Sequence, residues 1–214
     1  GGGAANLPTE ATVNEAGRQS ISLPHCWGWE DAQRGRQYYR GPGWYWRQLN
    51  IEKPSGGRRY FLRFEAAGSV ADVYFNGKSL GQHRGAFGAF CFEITKQLSP
   101  TGTNSLAVRV SNATEPDVTP LSGDIPVYGG LYRPVHLIET DEECFTLTDH
   151  ASPGVAWLQS NVSDGQALLN VTTEISNGTT KDQSATLVAK VVDADGHEVA
   201  RSEQQITLKP SVTA

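Results

Sequence analysis

Asp124-Ile125-Pro126-Val127-Tyr128-Gly129-Gly130-Leu131-Tyr132-Arg133-Pro134-Val135-His136-Leu137 begins as a loop and ends as a strand. The Gly129-Gly130 pair permits a backbone path that bulkier residues resist. Beyond it, Leu131, Arg133, Val135 and Leu137 fall on one side of an extended chain, and Tyr132, Pro134 and His136 on the other. Pro134 within that run predicts a bulge or an edge strand, because proline cannot donate to a sheet ladder. A carboxylate on an irregular segment that a strand holds is how a β-sandwich presents a polar group at its rim, and Asp124 fits that description. The alternative is that Asp124 accepts hydrogen bonds only from its own loop.

The residues upstream are patterned as strands. Tyr60, Leu62 and Phe64 alternate with Phe61, Arg63 and Glu65; Leu106, Val108 and Val110 alternate with Ala107, Arg109 and Ser111. Ala71-Asp72-Val73-Tyr74-Phe75 runs into Asn76-Gly77, a pair that tolerates the positive φ of a type I′ hairpin turn, and returns through Lys78–Gly81. Phe87, Phe90, Phe92 and Ile94 follow, with Thr95 opening a short turn to Leu98. Few segments show helical periodicity beyond one or two turns. Short strands about every ten residues with Gly, Asn and Pro punctuation predict an all-β chain built as a sandwich.

Tyr38-Tyr39-Arg40-Gly41-Pro42-Gly43-Trp44-Tyr45-Trp46-Arg47 holds five aromatic residues. Flat rings can stack on the apolar face of a sugar. The competing expectation, which we adopt, is a Gly-Pro-Gly turn entering a strand whose rings fill the core, with Trp44 and Trp46 mostly buried on one face and Tyr45 on the other. Ile21–Trp27 predicts a short strand stopped by Pro24, and His25, with no nucleophile or carboxylate near it in sequence, reads as a packed, hydrogen-bonded histidine.

The totals exclude several classes. At 214 residues the chain is long enough for two modest domains, and chains of this size bury roughly 70% of their unfolded surface. A net charge of −5 with scattered basic residues argues against a nucleic-acid footprint. No apolar run approaches the ~20 residues of a membrane helix. Cys26, Cys91 and Cys144 lack metal-ligand spacing and read as small buried hydrophobes. Asn-x-Ser/Thr occurs at Asn112, Asn161, Asn170 and Asn177, which matters only in a eukaryotic secretory pathway. The glycine-rich start without Met reads as a processed or engineered end. After the acidic stretch Glu139–Glu143 the aromatics nearly vanish. There Ala167, Leu169, Val171, Thr173 and Ile175 alternate, turn at Asn177-Gly178, and Ala185, Leu187, Ala189 and Val191 alternate again before Asp193–Gly196 turns into a last strand.

The order of these motifs resembles the N-terminal region of glycoside hydrolase family 2, the family of β-galactosidases, β-glucuronidases and β-mannosidases. Leu-Arg-Phe-Glu, Val-Tyr-Phe-Asn-Gly, Phe-Glu-Ile-Thr, Asn-Ser-Leu-Ala-Val-Arg-Val and Gly-Gly-Leu-Tyr-Arg appear in register across about residues 20 to 140, after Leu-Pro-His-Cys-Trp, which resembles the family's entry segment, and Gly43-Trp44-Tyr45-Trp46-Arg47, which resembles its Gly-x-Trp-Tyr-x-Arg strand. The resemblance implies a jelly-roll-like β-sandwich over 18–140 after an irregular lead of 1–17, a hinge over 141–151, and an incomplete immunoglobulin-like β-sandwich over 152–214. It implies that Asp124 is the substrate-binding aspartate that leaves this domain to touch a sugar in a neighbouring (α/β)8 barrel, although Ile125 stands where the family usually has an aromatic residue. It implies retaining hydrolysis by two carboxyl groups about 5 Å apart on that barrel. Nothing here alternates strand with amphipathic helix, so no catalytic residue is expected in this chain, and no metal or other cofactor. The expected partners are a β-linked sugar and a barrel on a following segment or a second chain, with a homo-oligomer allowed and no nucleic acid. The functional expectation is the non-catalytic part of an exo-β-glycosidase, β-galactosidase first and β-glucuronidase next. A free-standing carbohydrate-binding module is the alternative and an adhesion sandwich without a sugar site is the third hypothesis.

Overall fold

The computed structural model describes residues 19–52, 56–121 and 127–211. The backbone divides into two compact units: the first takes the described residues of Gly1–Lys53 and Leu62–His136, the second those of Pro54–Phe61 and Leu137–Ala214. Both are built from strands. The described residues hold one five-residue α-helix, α1 (Trp29–Gln33), and one 3-10 turn at Thr95–Gln97. No described helix is long and apolar enough to cross a membrane.

The first seven strands are β1 (Pro42–Asn50), β2 (Arg58–Phe64), β3 (Val70–Phe75), β4 (Lys78–Arg84), β5 (Phe90–Glu93), β6 (Thr103–Ser111) and β7 (Val135–Asp141). They form a four-stranded sheet in the order β1-β6-β3-β4 and a three-stranded sheet in the order β5-β2-β7. The crossovers between non-consecutive strands are those of a jelly-roll-like sandwich. β7 lies at a sheet edge, where the preceding Pro134 costs no ladder hydrogen bond. Asn76 and Gly77 both take positive φ, 50° and 76°, in the turn joining β3 to β4. The Asn76 amide also donates to Gln97 O and Asn104 Oδ1, both at 2.8 Å, so the turn is tied to neighbouring segments.

Alternation puts Val73, Phe75, Val108 and Val110 inward, all at or near zero exposure, together with Leu62, Phe64 and Ile94. Phe64 stacks on Phe90 with centroids 4.7 Å apart and planes within 4°. Register places the β1 aromatics differently from their expected positions. Tyr45 pairs with buried Val108 and so shares the core-side face. Trp44 pairs with Arg109 and Trp46 with Ala107, on the opposite face. Both tryptophans are half-buried, stacked on each other at 5.4 Å, with Trp44 5.9 Å from Tyr74. An aromatic run carries large apolar rings on both faces, so period-2 alternation cannot say which face turns inward.

In the second unit β8 (Glu143–Phe145) pairs with β11 (Ile175–Asn177), β9 (Val155–Ser160) with β10 (Leu168–Thr173), and β12 (Gln183–Val192) with β13 (Glu198–Leu208), all antiparallel. The sequence predicts one strand from Ala167 to Ile175. The structure breaks it at Glu174, whose N–H goes to Gly154 O and whose carbonyl accepts from Thr146 N, both at 2.8 Å. Asn177 is fully buried and links the end of β13 to the loop after β11: its Nδ2 donates to Leu208 O (3.0 Å) and Lys181 O (2.8 Å). Buried Arg59 donates to Ser176 Oγ at 2.7 Å and lies 5.0 Å from the Phe61 ring centroid.

Two outcomes follow for the first unit. Phe64→Ala is expected to lower stability by about 3–5 kcal/mol in chemical denaturation, because a fully buried stacked ring is replaced by a cavity. Glu65 is held below the ordinary glutamate value of 4.5, chiefly by the hydrogen bond from Arg63 (Nε to Oε1, 2.7 Å), with burial opposing and His136 and Arg133 assisting. A depressed native value stabilises the fold fully above pH 4.5, and the contribution disappears as pH falls through the lower native value. Glu65→Gln should therefore flatten the acid limb of the stability–pH curve, with a loss of about 1 kcal/mol at neutral pH.

Candidate functional site

Asp124 lies outside the described residues, between Leu121 and Val127. The structure does describe the segment that follows in sequence, Val127–Tyr132, which is held by partners in the first unit. Val127 N–H donates to Tyr38 Oη at 2.8 Å, and Val127 O accepts from Asn112 Nδ2 at 2.8 Å. The Tyr128 ring sits 6.0 Å from that of Tyr38. Gly129 and Trp27 exchange two backbone hydrogen bonds, at 2.9 and 3.3 Å.

The glycine pair has a definite steric reason. A Cβ on Gly129 would lie 2.1 Å from Cε2 of Trp27, inside the indole. A Cβ on Gly130, which has φ +121°, would lie 2.5 Å from His25 O and 2.7 Å from Tyr45 Oη. Only glycine lets this chain pass the entry segment His25–Trp27 at such a distance.

Behind the glycines is a polar knot. Tyr45 Oη accepts from Leu131 N–H at 3.3 Å and lies 2.8 Å from His25 Nδ1. Tyr45 and His25 share this hydrogen bond, in which a hydroxyl can serve as donor or acceptor. His25 N–H closes the ring of contacts by donating to Leu131 O at 2.8 Å. Burial pushes the Tyr45 phenol up to about 12, against the opposing effect of the Leu131 N–H, so it stays protonated. His25 is thus a packed, hydrogen-bonded histidine, as its sequence context predicts. Further along, the Tyr132 hydroxyl donates to Ala86 O, and the Arg133 guanidinium lies 5.7 Å from the Tyr132 ring centroid.

Asn112 is the residue that sequence inspection missed as part of this site. In sequence it shows only as the first residue of Asn112-Ala113-Thr114, an apparent glycosylation signal. It is in fact fully buried, as is Asn177, whereas Asn161 and Asn170 are exposed. Burial removes Asn112 and Asn177 as surface acceptors in the folded protein and assigns their amides to internal hydrogen bonds.

Among the described residues, one group has the spacing to grip a cation: Asp193, Asp195 and His197 present ligand atoms within 4.8 Å of one another at the β12–β13 turn. All three are exposed, and Asp193 Oδ1 is engaged by the turn itself, accepting from Asp195 N (3.0 Å) and His197 N (2.8 Å). The arrangement is that of an Asx-type turn. Cys91 is buried, which pushes its thiol up to about 11, and Cys26 is raised by burial as well, so neither is a poised thiolate.

Comparison with known proteins bears on the family of the chain. Residues 30–141 match the sugar binding domain of glycosyl hydrolases family 2. The chain is 41% identical over 191 residues to a β-glucuronidase of Bacteroides fragilis, covering 88% of this chain and 27% of that protein. It is 29% identical over 190 residues to the β-galactosidase BoGH2A of Bacteroides ovatus, covering 85% of this chain and 21% of that protein. The crystal structure of a Bacteroides uniformis β-glucuronidase superposes with a TM-score of 0.87 at 37% identity, covering 97% of this chain and 24% of that one. The chain therefore spans about a quarter of the length of the relatives it matches. With the motif order, the jelly-roll-like sandwich and the matched residues in agreement, the chain belongs to glycosyl hydrolases family 2.

Proposed function

We propose that this chain is the non-catalytic, substrate-facing part of a retaining exo-β-glycosidase that hydrolyses β-D-glucuronides. The observation that carries the proposal is the 41% identity to the B. fragilis β-glucuronidase over nearly the whole chain. The sequence alone put β-galactosides first. That order is reversed here because the β-galactosidase BoGH2A stands at 29%. β-D-Galactosides remain the second substrate hypothesis.

Retaining hydrolysis needs two carboxyl groups about 5 Å apart, one as nucleophile and one as acid/base. In this proposal both lie outside the chain, on a barrel carried by the same polypeptide, in keeping with relatives several times longer. A barrel on a separate polypeptide is the alternative arrangement. Asp124 supplies an acceptor-only carboxylate that takes charge-assisted hydrogen bonds from sugar hydroxyls. Like charges repel, so Asp124 faces the hydroxyl side of a glucuronide ring rather than its own carboxylate. A free-standing carbohydrate-binding module has less support, since Trp44 and Trp46 stack on each other and not side by side as a flat platform.

The complete polypeptide, assayed on 4-nitrophenyl β-D-glucuronide and 4-nitrophenyl β-D-galactoside, is expected to prefer the glucuronide. Preference for the galactoside would overturn the substrate assignment, and inactivity on both would overturn the glycosidase proposal. Asp124→Ala in that polypeptide should lower kcat/KM by roughly ten- to a thousandfold, the scale of one or two charge-assisted hydrogen bonds. Unchanged kinetics with the fold intact would remove Asp124 from the site.

A further inference from the structure

We propose that the cleft between the β3–β4 turn and the loop leading into β6 binds an acidic sugar through Lys78 and Lys96. This site is independent of the glycoside assigned above. The cleft has a volume of about 540 Å³, and its lining includes Asn76, Lys78, Lys96, Gln97, Pro100 and Ser105. That size lies within the range of about 300–1,000 Å³ over which clefts hold small organic ligands. It opens where β3 ends and Asn76 begins the turn, whereas the Gly68–Gly130 bridge lies before the other end of that strand.

The walls are fixed before any ligand arrives. Asn76 N–H donates to Ser105 O, and Asn76 Oδ1 accepts from Ser105 N–H, both at 2.8 Å. Asn76 Nδ2 donates to Gln97 O and to Asn104 Oδ1, which also accepts from Ser99 N–H, each at 2.8 Å. Asn104 is buried, so one interior network joins turn, loop and strand. The groups left for a ligand face outward. Lys78, Lys96 and Ser105 are exposed, and Gln97 is half-buried. Neither lysine is ion-paired with a described carboxylate, whereas Lys190 and Lys209 are paired with Glu198 and Asp182. No carboxylate stands among the described lining residues either. On a chain of net charge −5, two ammonium groups at one such cleft make a local site for an anion. The rest of the lining selects what carries that anion. The Gln97 amide and the Ser105 hydroxyl can exchange hydrogen bonds with sugar hydroxyls, and the Pro100 ring adds an apolar surface. An inorganic anion uses the ammonium groups alone and leaves most of the cleft to water. A uronate uses both parts, with its carboxylate taking charge-assisted hydrogen bonds from the lysines.

Acetylation of lysines in the complete polypeptide, read site by site by mass spectrometry, tests this locally. The probe is an α-linked D-galacturonate trimer, whose linkages a β-glycosidase does not cleave, and maltotriose is its uncharged counterpart. The galacturonate is expected to slow acetylation of Lys78 and Lys96 about threefold or more near saturation, with Lys181 and Lys190 unchanged and maltotriose without effect. Lys78→Gln combined with Lys96→Gln should weaken binding of the trimer about tenfold in calorimetry, the scale of a lost charge-assisted hydrogen bond. The same variant should keep wild-type kcat/KM on the better of the two nitrophenyl glycosides. Absence of protection at the two lysines, or undiminished affinity in the double variant, would overturn the site. Equal protection by sodium sulfate or by tri-L-glutamate at the same concentration would overturn its assignment to an acidic sugar.

Discussion

The close passage of Gly129 beside the Trp27 ring is the constraint on which the rest of the first unit depends. The two residues exchange a pair of backbone hydrogen bonds while the indole occupies the space of a Cβ on residue 129. This approach brings Val127 within reach of Tyr38 and Asn112, and Leu131 within reach of Tyr45 and His25. Removing the glycine would separate the entry segment from the returning chain. It would also leave polar groups of His25, Tyr45 and Asn112 buried without their partners, a penalty larger than the value of any one bond. The geometry at the rim is therefore set by a steric fact in the interior.

Most hydrogen bonds around that passage are made by amide and phenol groups. Tyr45 is kept protonated by burial, and the Asn112 amide does not ionise. In a low-dielectric interior a neutral network can be fully satisfied at modest cost, whereas a buried charge needs a counter-charge. Charged contacts on this unit lie further out. Arg84 pairs with Glu115 and Asp117, and Arg109 with Asp72. Such partly exposed pairs add little to stability individually. The interior work of holding the backbone falls mainly to amides and phenols.

Much of the fold was legible because burial on one face imposes period 2. Leu106, Val108 and Val110 announce β6, and Asn76-Gly77 announces the β3–β4 turn through the positive φ both residues adopt. The break at Glu174 was hidden, since its cause is pairing with Thr146 and Gly154, far away in sequence. Of the site, the glycine pair was visible as backbone freedom, though its reason, the Trp27 ring, was not. Asn112 was invisible as a buried hub because an asparagine that satisfies four partners looks the same in sequence as one on the surface. Only the end of an alternating apolar strand at Ser111, with a polar side chain placed next in line, hints that the chain there turns inward on hydrogen bonds.

The β1 aromatics show how the same ambiguity bears on function. Trp44 and Trp46 were expected inside with Tyr45 opposite, yet the core-side position belongs to Tyr45, whose hydroxyl must reach Leu131 and His25. Once that polar tip is committed, strand geometry forces both tryptophans to the other face. There they stack within 20° of parallel at 5.4 Å, and Tyr74 lies close to Trp44. Such offset stacking shields part of each ring's apolar surface from water. The choice of face is thus made by one phenol's hydrogen bonds. The same choice that places Tyr45 behind the Gly129-Gly130 passage puts the two tryptophans together as a stacked pair on the opposite face.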